Sequence, residues 1–405
     1  MKATRTETIF LSGENLYCSL ELCHLAKNLY NASLYLIRQH FFSTGKYLGY
    51  NSLQKQMQDN ENPDYIALPR KVSQQILMQV DYDFKSFFNA NKKYKEKPEK
   101  FKERPRIPGY KDKKGFSLLT YTTQAISQKL LKKGIVAPSQ TGIQVRTTVN
   151  PESIRQVRIV PLKTENVKVE IIYEKETRDH EVNYDSILAI DLGVNNLVSL
   201  TSNKRGFQPL VVNGRPVKSI NQYYNKERSR LMSLLSSDQK ETKRIRRLTE
   251  KRNRRIAYYL HNTSRFVIDI CLFEGIGTIV IGKNPNWKNG CNMGDTNNQN
   301  FCGIPHSVLI SQIVYKAEEY GIRVEMVTEE YTSKCSFLDS EEICKHASYV
   351  GRRIKRGLFR SNSGRLINAD TNGSYNILIK AFPEAFAEGI EGLVVSPVLC
   401  TVCTA

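Results

Sequence analysis

Two aspartates and a pair of adjacent glutamates, far apart in the chain, are of the residue types that could do metal chemistry. Asp191 closes the apolar run ILAID and is followed by Leu192-Gly193, which opens the backbone. Its carboxylate is thereby left at the carboxyl edge of a sheet, where ligands of open α/β sheets collect. The same D-x-G pattern also marks plain turns and opens the phosphate site of actin-like ATPases. Asp370 lies in INADTNGSYNI, at the first turn of a helix, where an aspartate serves equally as a cap. There Asn368, Asn372 and Asn376 recur at offsets of four. Polar residues on one face of an otherwise buried helix are expensive to place in a core without a ligand, which turns this motif towards function.

Hydrolysis of a phosphodiester with divalent cations needs two or three carboxylates that share ions about 4 Å apart. Neighbouring strand ends lie about 4.8 Å apart, so acids on adjacent strands meet that requirement without unusual geometry. A third acid is therefore expected. The strand TIVIG ends in Gly282 instead, whereas its successor RVEMVTEE ends in Glu329 and Glu330 at the equivalent edge, one strand over. The third carboxylate is assigned to this pair, Glu329 ahead of Glu330. Glu274 stands at the wrong end of its strand.

The elements that must position these acids are legible from hydrophobic spacing. ILAID, LVSLTS and PLVVN read as three strands, and Ile220 to about Glu274 as a long helical stretch. TIVIG gives a fourth strand, Pro305 to Tyr320 a helix, Ile322 to Thr328 a fifth strand, and a last helix starts near Asp370. That order is the one of a ribonuclease H-like domain. Upstream, Leu22, Leu25, Leu29, Ala32 and Leu36, and then Val72, Ile76, Val80, Phe84 and Phe87, recur at helical spacing, predicting a helical block over roughly 14 to 95. Thr4 to Leu11 and the segments GIVAP, IQVRTTV, VRIVPL and VKVEIIY read as strands, which we assemble into a small β-barrel.

Lysine and arginine outnumber aspartate and glutamate by 60 to 40, a formal net charge of +20. Such an excess favours a polyanionic partner through counterion release but says nothing about fold. It is concentrated in KRIRRLTEKRNRRI, where Lys243, Arg244, Arg246, Arg247, Lys251, Arg252, Arg254 and Arg255 surround a helix. A helix charged on most of its circumference and lacking acidic partners repels itself unless phosphate lies beside it, although a solvated face is the plainer reading. A second run, 91 to 115, carries Lys111, Lys113 and Lys114 and is interrupted by Pro98, Pro105 and Pro108. Tyr94, Phe101 and Tyr110 interleave with its cations, which suits bases and phosphates together better than a bare linker would. Arg352, Arg353, Lys355 and Arg356 form a third basic cluster. The nine cysteines are scattered, as in a reducing cytosol. Neither a signal-peptide core nor an apolar stretch of about 18 residues is visible, so a soluble, cytosolic protein is expected.

ILAIDLGVNNLVSL, TIVIGKNPNWK, QNFCGIPHSVLISQIVYKAEEYGIRV, TEEYTSKCSFLD, GRRIKRGLFRS and LINADTNGSYNIL, in this order over residues 186 to 398, resemble the TnpB (OrfB) transposon-encoded proteins, ancestors of the type V CRISPR effectors. The resemblance implies an α/β and α+β multidomain chain. Its parts would be a β-barrel wedge domain (1–13 and 106–182), a helical recognition insert (14–105), a RuvC-type nuclease domain (183–398) and a tail (399–405). It further implies an RNA-guided DNA endonuclease dependent on Mg²⁺ or Mn²⁺, with a guide RNA from the transposon end and a double-stranded DNA target beside a short motif. Asp191 would be the first catalytic acid and Asp370 the last. Gly282 departs from the family pattern and looks like a branch in which the middle glutamate moved to the TEE motif. Many relatives carry a four-cysteine zinc ribbon. Here the corresponding insert, about 332 to 366, offers only Cys335, Cys344 and His346, so buried thiols are the default and a bound zinc the lesser reading. Two other readings stay open: a nuclease-inactive RNA-guided repressor and a DNA-joining transposase. An actin-like ATPase is disfavoured for want of a second glycine-rich phosphate loop.

Overall fold

The structure is a computed structural model that describes residues 2–177, 180–236, 239, 241–284 and 294–403. Cys291 and the 285–288 part of the TIVIGKNPNWK motif lie outside the described residues. The chain divides into two compact units, one from Lys2 to Lys175 and one beginning at Glu176.

The first unit runs β1 (Lys2–Phe10), α1 (Gly13–Thr44), α2 (Tyr50–Asp59), α3 (Pro63–Ile66), α4 (Arg70–Glu96), β2 (Leu119–Thr122), α5 (Gln128–Leu131), β3 (Ile135–Val136), β4 (Val145–Arg146), β5 (Ile154–Pro161) and β6 (Val167–Glu176). Ser19, Cys23, Ala26, Tyr30, Ser33 and Ile37 recur every three or four residues and form the buried stripe of α1. Val72, Ile76, Val80 and Phe84 do the same for α4. Both stripes join one core with Leu119 and Tyr121 of β2, Val157 and Ile159 of β5, and Val169 and Ile171 of β6. The sheet has the order β1-β6-β5-β2, and β3 and β4 make a separate ribbon. The pairings among the described residues thus give an open four-stranded sheet where a barrel was expected.

In the 91 to 115 run, α4 continues to Glu96, with Lys93 and Lys95 in its last turn, where cations complement the helix dipole. Lys111 belongs to the fold. Its Nζ donates to Ser117 Oγ at 2.7 Å and lies 4.2 Å from the Tyr30 ring centre, while its backbone N–H donates to Asn31 Oδ1. Desolvation lowers its pKa. Lys113 and Lys114 are exposed.

The second unit continues with β7 (Asn183–Leu192), β8 (Asn196–Ser202), β9 (Leu210–Asn213), α6 (Arg215–Met232), α7 (Lys243–Glu274), β10 (Ile276–Gly282), α8 (Asp295–Cys302), α9 (His306–Glu318), β11 (Arg323–Val327), β12 (Arg352–Lys355), β13 (Leu358–Arg360), β14 (Leu366–Asn368), α10 (Ala369–Ala381) and β15 (Val398–Cys400). Its main sheet has the order β11-β10-β7-β8-β9-β15. β7, β8 and β9 are antiparallel neighbours, and β10 and β11 run parallel to β7. Alternation along β7 sends Leu188, Ile190 and Leu192 to a core with α7 and α9, and Ile187 and Ala189 to a core with Ile377 and Leu378 of α10. Asp191 has the parity of Ile187 and Ala189 and therefore faces α10.

Two expectations change here. The single stretch from Ile220 to Glu274 is two helices, because α6 ends at Met232 and Thr242 caps a new start by accepting from the Ile245 N–H. The expected tail contributes a strand, since Val398, Leu399 and Cys400 pair in parallel with Leu210, Val211 and Val212.

Candidate active site

Asp191 stands one residue before the end of β7, opposite Ser199 of β8. β10 runs parallel to β7 and stops at Gly282, paired to Val327, the last residue of β11. Glu329 follows in the turn beyond β11, two residues later than a strand-end position would put it. Asp370 occupies the first turn of α10, which Asn368 caps by accepting from the backbone N–H groups of Asp370 and Thr371. All three acids therefore gather at the carboxyl edge of the parallel strands.

Two glycines make the approach possible. A Cβ at Gly373 would sit 2.9 Å from Asp191 Oδ2, so a side chain there would push that carboxylate out of its present position. A Cβ at Gly282 would sit 2.5 Å from Ile377 Cδ1 and 3.3 Å from Glu329 Oε2. Where the fourth strand lacks its own acid, the carboxylate of Glu329 comes in from the neighbouring strand and occupies that space.

Electrostatics report the same proximity. Desolvation first, and then the charges of Glu329 and Asp370, push the Asp191 carboxyl up to about 8, against the opposing pull of Arg353. Asp191 keeps a partly accessible surface, but protein atoms enclose it on its other sides. Burial pushes Glu329 up to about 7. Glu330 is exposed, and its backbone carbonyl accepts from Lys380 Nζ.

Asp370 Oδ2 accepts from Asn196 Nδ2 at 2.6 Å, and Arg353 of β12 stands 3.7 Å from Asp370 Oδ1. With Asp370 turned onto these partners, no three His, Cys, Asp or Glu side chains among the described residues stand as a ready-made ion cage. The donor chemistry nevertheless suits a hard divalent cation: oxygen ligands only, in mutual repulsion that a dication relieves. The hydroxyls of Ser199, across from Asp191, and of Thr371, next to Asp370, are buried without a protein partner, as polar atoms facing a solvated ion would be.

The asparagines of α10 have a different task from the one their spacing suggested. Asn372 Oδ1 accepts from the Phe337 N–H and its Nδ2 donates to the Cys335 carbonyl; Asn376 Nδ2 donates to the carbonyls of Thr332 and Cys335. They pin the segment that follows Glu329 to the helix that carries Asp370. Ser374 Oγ completes the frame within 3.2 Å of the carbonyls of Ala189 and Ser199 and 2.9 Å from Thr201 Oγ1. Asn284 Oδ1 accepts from the Glu329 N–H at 3.0 Å. Nothing in the spacing of Asn196, Asn284, Gly373 or Ser374 marked them. Their signal was their place inside quoted motifs: Asn196 in ILAIDLGVNNLVSL, Asn284 in TIVIGKNPNWK, and Gly373 and Ser374 in LINADTNGSYNIL.

The insert between β11 and α10 is the sheet β12-β13-β14 with an apolar core of Phe337, Leu338, Phe359 and Ile367 around Tyr375. Phe337 stacks on Tyr375 of α10 at 4.3 Å and 9°. Cys335 Sγ is directed at the Cys344 carbonyl, 3.7 Å away, and Cys344 Sγ lies 3.4 Å from His346 Nε2. Burial raises both thiols, opposite to what a metal-held thiolate requires. Of the basic cluster here, Arg352, Arg353, Lys355 and Arg356 are exposed, and Arg353 reaches Asp370.

On α7, Lys243, Arg244, Arg247, Lys251, Arg254 and Arg255 are exposed. Acidic partners do exist: Arg246 pairs with Glu241 at 3.0 Å and Arg254 with Glu250 at 4.0 Å. Arg252 is a strut rather than a free cation. It donates to Asn221 Oδ1 at 2.8 Å and to the Gly303 carbonyl at 2.6 Å, and burial lowers its pKa.

Strand order 3-2-1-4-5 from β9 to β11, with helices on both faces and carboxylates at the carboxyl edge, defines a ribonuclease H-like α/β domain. A family model described as a probable transposase, OrfB_IS605, matches residues 170–288, and one described as Cas12f1-like, TNB domain, matches 306–377. The chain is 27% identical over 239 residues to the CRISPR-associated endodeoxyribonuclease Cas12f1 of Sulfoacidibacillus thermotolerans, covering 55% of this chain and 52% of that protein. It is 26% identical over 208 residues to a TnpB-like protein of Acidianus two-tailed virus, covering 49% of this chain and 42% of that protein. The chain thus spans about half the length of the curated relatives it matches. Among solved structures, a Cas12f1-sgRNA-target DNA complex aligns over 90% of this chain and 82% of the other, with a TM-score of 0.55 and 15% identity, a likeness of fold. Over part of its length the chain is thus similar in sequence to TnpB-like and Cas12f1 proteins.

Proposed function

We propose that this chain is an RNA-guided DNA endonuclease, associated with a transposon, that hydrolyses the target phosphodiester with Mg²⁺ or Mn²⁺. The observation that carries this reading is the convergence of Asp191, Glu329 and Asp370, each from a different element, with burial and mutual repulsion holding Asp191 far above the usual carboxylate range. Groups so perturbed in one cleft are characteristic of functional sites. The names of the relatives, an endodeoxyribonuclease and a TnpB-like protein, support the same activity.

Asp191, Glu329 and Asp370 would hold the metal, which when bound activates the attacking water and neutralises the leaving oxygen. Asn196 orients Asp370, and Asn284 orients the backbone of Glu329. Arg353, half exposed beside Asp370, is placed to meet the target phosphate and to balance the acids before it arrives. The exposed cations of α7, with Lys113, Lys114, Arg352, Lys355 and Arg356, would grip the guide RNA and the RNA–DNA hybrid by their phosphates. Base pairing supplies sequence choice, and the helical part of the first unit would read the short motif beside the target. Lys111 and Arg252, engaged by the protein itself, are left out of that surface. A zinc ion at Cys335 and Cys344 is not part of this mechanism.

The test is to express the protein with its native flanking DNA, sequence the RNA that copurifies, and incubate the complex with matched DNA with and without Mg²⁺. Metal-dependent cuts in matched DNA alone are expected. Binding without cutting under any condition would overturn the reading in favour of a repressor. The family description as a probable transposase favours a DNA-joining activity, and joined donor–target products from purified protein would establish that instead.

A further inference from the structure

Between α6 and α7 lies a cleft of about 200 Å³, lined by Ile220, Tyr223, Tyr224, Lys251, Arg252 and Arg255, with Leu248 at its base. Its floor is rigid. Arg252 is tied to Asn221, Asn253 and the Gly303 carbonyl and lies 5.6 Å from the Tyr224 ring centre, and Tyr224 OH is bonded to Thr249 Oγ1 at 3.1 Å. Its rim is open. Tyr223 is 61% exposed and makes no hydrogen bond or ring contact among the described residues. Lys251 and Arg255 are exposed and make no ion pair or side-chain hydrogen bond among them.

We propose that this cleft holds an unpaired nucleotide of a nucleic-acid strand, its base against Tyr223 and its flanking phosphates on Lys251 and Arg255. The cleft is smaller than the usual pocket for a drug-sized molecule and suits a single flat group. An exposed aromatic face and two unpaired cations lining one cleft make the combination that binds single strands without regard to sequence. A duplex keeps its bases stacked inside and would use the cations alone, leaving an exposed tyrosine with nothing to do. The proposal deepens the RNA-guided reading, since pairing of a guide with one target strand displaces the other as unpaired nucleotides, and a guide RNA has unpaired stretches of its own.

The experiment uses the full chain freed of nucleic acid, in chelator-containing buffer, and measures anisotropy of labelled oligouridine, oligothymidine and a DNA duplex of equal length. Tyr223→Ala is expected to weaken single-strand binding by about fivefold to a hundredfold, and duplex binding less than about twofold. Tyr223→Phe should bind as the parent does. Lys251→Ala and Arg255→Ala should weaken both kinds of ligand and each lower the single-strand salt slope by about 0.7. A larger Tyr223→Ala effect on uridine than on thymidine assigns the site to RNA, and the reverse to DNA. Single-strand affinity unchanged by Tyr223→Ala, or reduced equally with duplex affinity, overturns the proposal. Because no metal is present, that failure leaves the acid site untouched, whereas loss of metal-dependent cutting alone would leave this cleft standing.

Discussion

A carboxylate that must lose its proton before it can hold a cation gives the site a pH dependence of known sign. Asp191 and Glu329 are pushed up to about 8 and about 7, whereas in the unfolded chain both titrate near 4. The folded state therefore holds these protons more tightly, and stability falls as pH rises from about 4 through about 8. Asp191→Asn in metal-free protein should raise the thermal midpoint above that of the parent, by a margin that widens with pH over this window. A constant or shrinking margin in scanning calorimetry would show that Asp191 is not strained by its neighbours. Gly282→Ala tests the second close approach: its methyl would overlap Ile377 and press on Glu329. We expect a loss of about 1–3 kcal/mol in urea unfolding together with slowed cleavage. Glu329→Gln should abolish cutting and Glu330→Gln should not, because only Glu329 turns inward. The sequence left Glu329 and Glu330 nearly equal, since strand alternation cannot be extrapolated through a turn that starts after Val327. It did place Asp191 and Asp370, because a strand end and a helix start have local signatures. The partner Asn196 lies inside the ILAIDLGVNNLVSL motif, but its role had no local sign, since it exists only once β8 lies beside α10.

Elements carry the frame that keeps the acids together. Asn372 and Asn376 fasten the turn after Glu329 to α10, so Asn376→Ala leaves the Thr332 carbonyl without that partner and weakens the hold on Cys335. A cost of about 1–3 kcal/mol in urea unfolding is expected, with slower single-turnover cleavage and unaltered nucleic-acid affinity. Lost affinity with normal cutting would contradict the positioning role. The same logic separates neighbours on α7. Arg252→Ala should destabilise by a similar amount, whereas the exposed Arg255→Ala should stay within about 0.5 kcal/mol. Periodicity found β7 to β11 and the helices α7, α9 and α10, because β7, β8 and β10 are near-continuous apolar runs and these helices keep a buried stripe; it did not find α8 or the short strands β12 to β14. It missed the break after Met232, since cations continue on both sides of it and hide the end of α6. It also missed the pairing of Val398–Cys400 with β9, since parallel pairing across most of the domain leaves no local trace. Charge counting assigned Arg252 and Lys111 to phosphate for a comparable reason: a cation buried against Gly303 or over Tyr30 reads in sequence like any other.

At the scale of the molecule, a net charge of +20 and exposed cations on α7 imply binding that depends steeply on salt. Affinity for nucleic acid should fall by orders of magnitude between low and physiological salt, read as the slope of log affinity against log salt; a flat response would remove the phosphate contacts assigned above. Among the described residues no helix is long and apolar enough to cross a membrane. The order of strands and the edge at which acids must gather were readable from sequence, and so was the likeness to TnpB proteins. A closed barrel in the first unit was not found in the described pairings, because alternation identifies strands but does not say whether the ends of a sheet meet. In the proposed function, acids from three separate elements form one metal site that cuts. Single-turnover cleavage and binding of matched DNA by the guide-loaded protein, with Asp191→Ala, Glu329→Ala and Asp370→Ala side by side, test it most directly. Each variant should lose cutting while binding the target as tightly as the parent. Cutting that survives any of the three, or binding lost in step with cutting, would contradict the account.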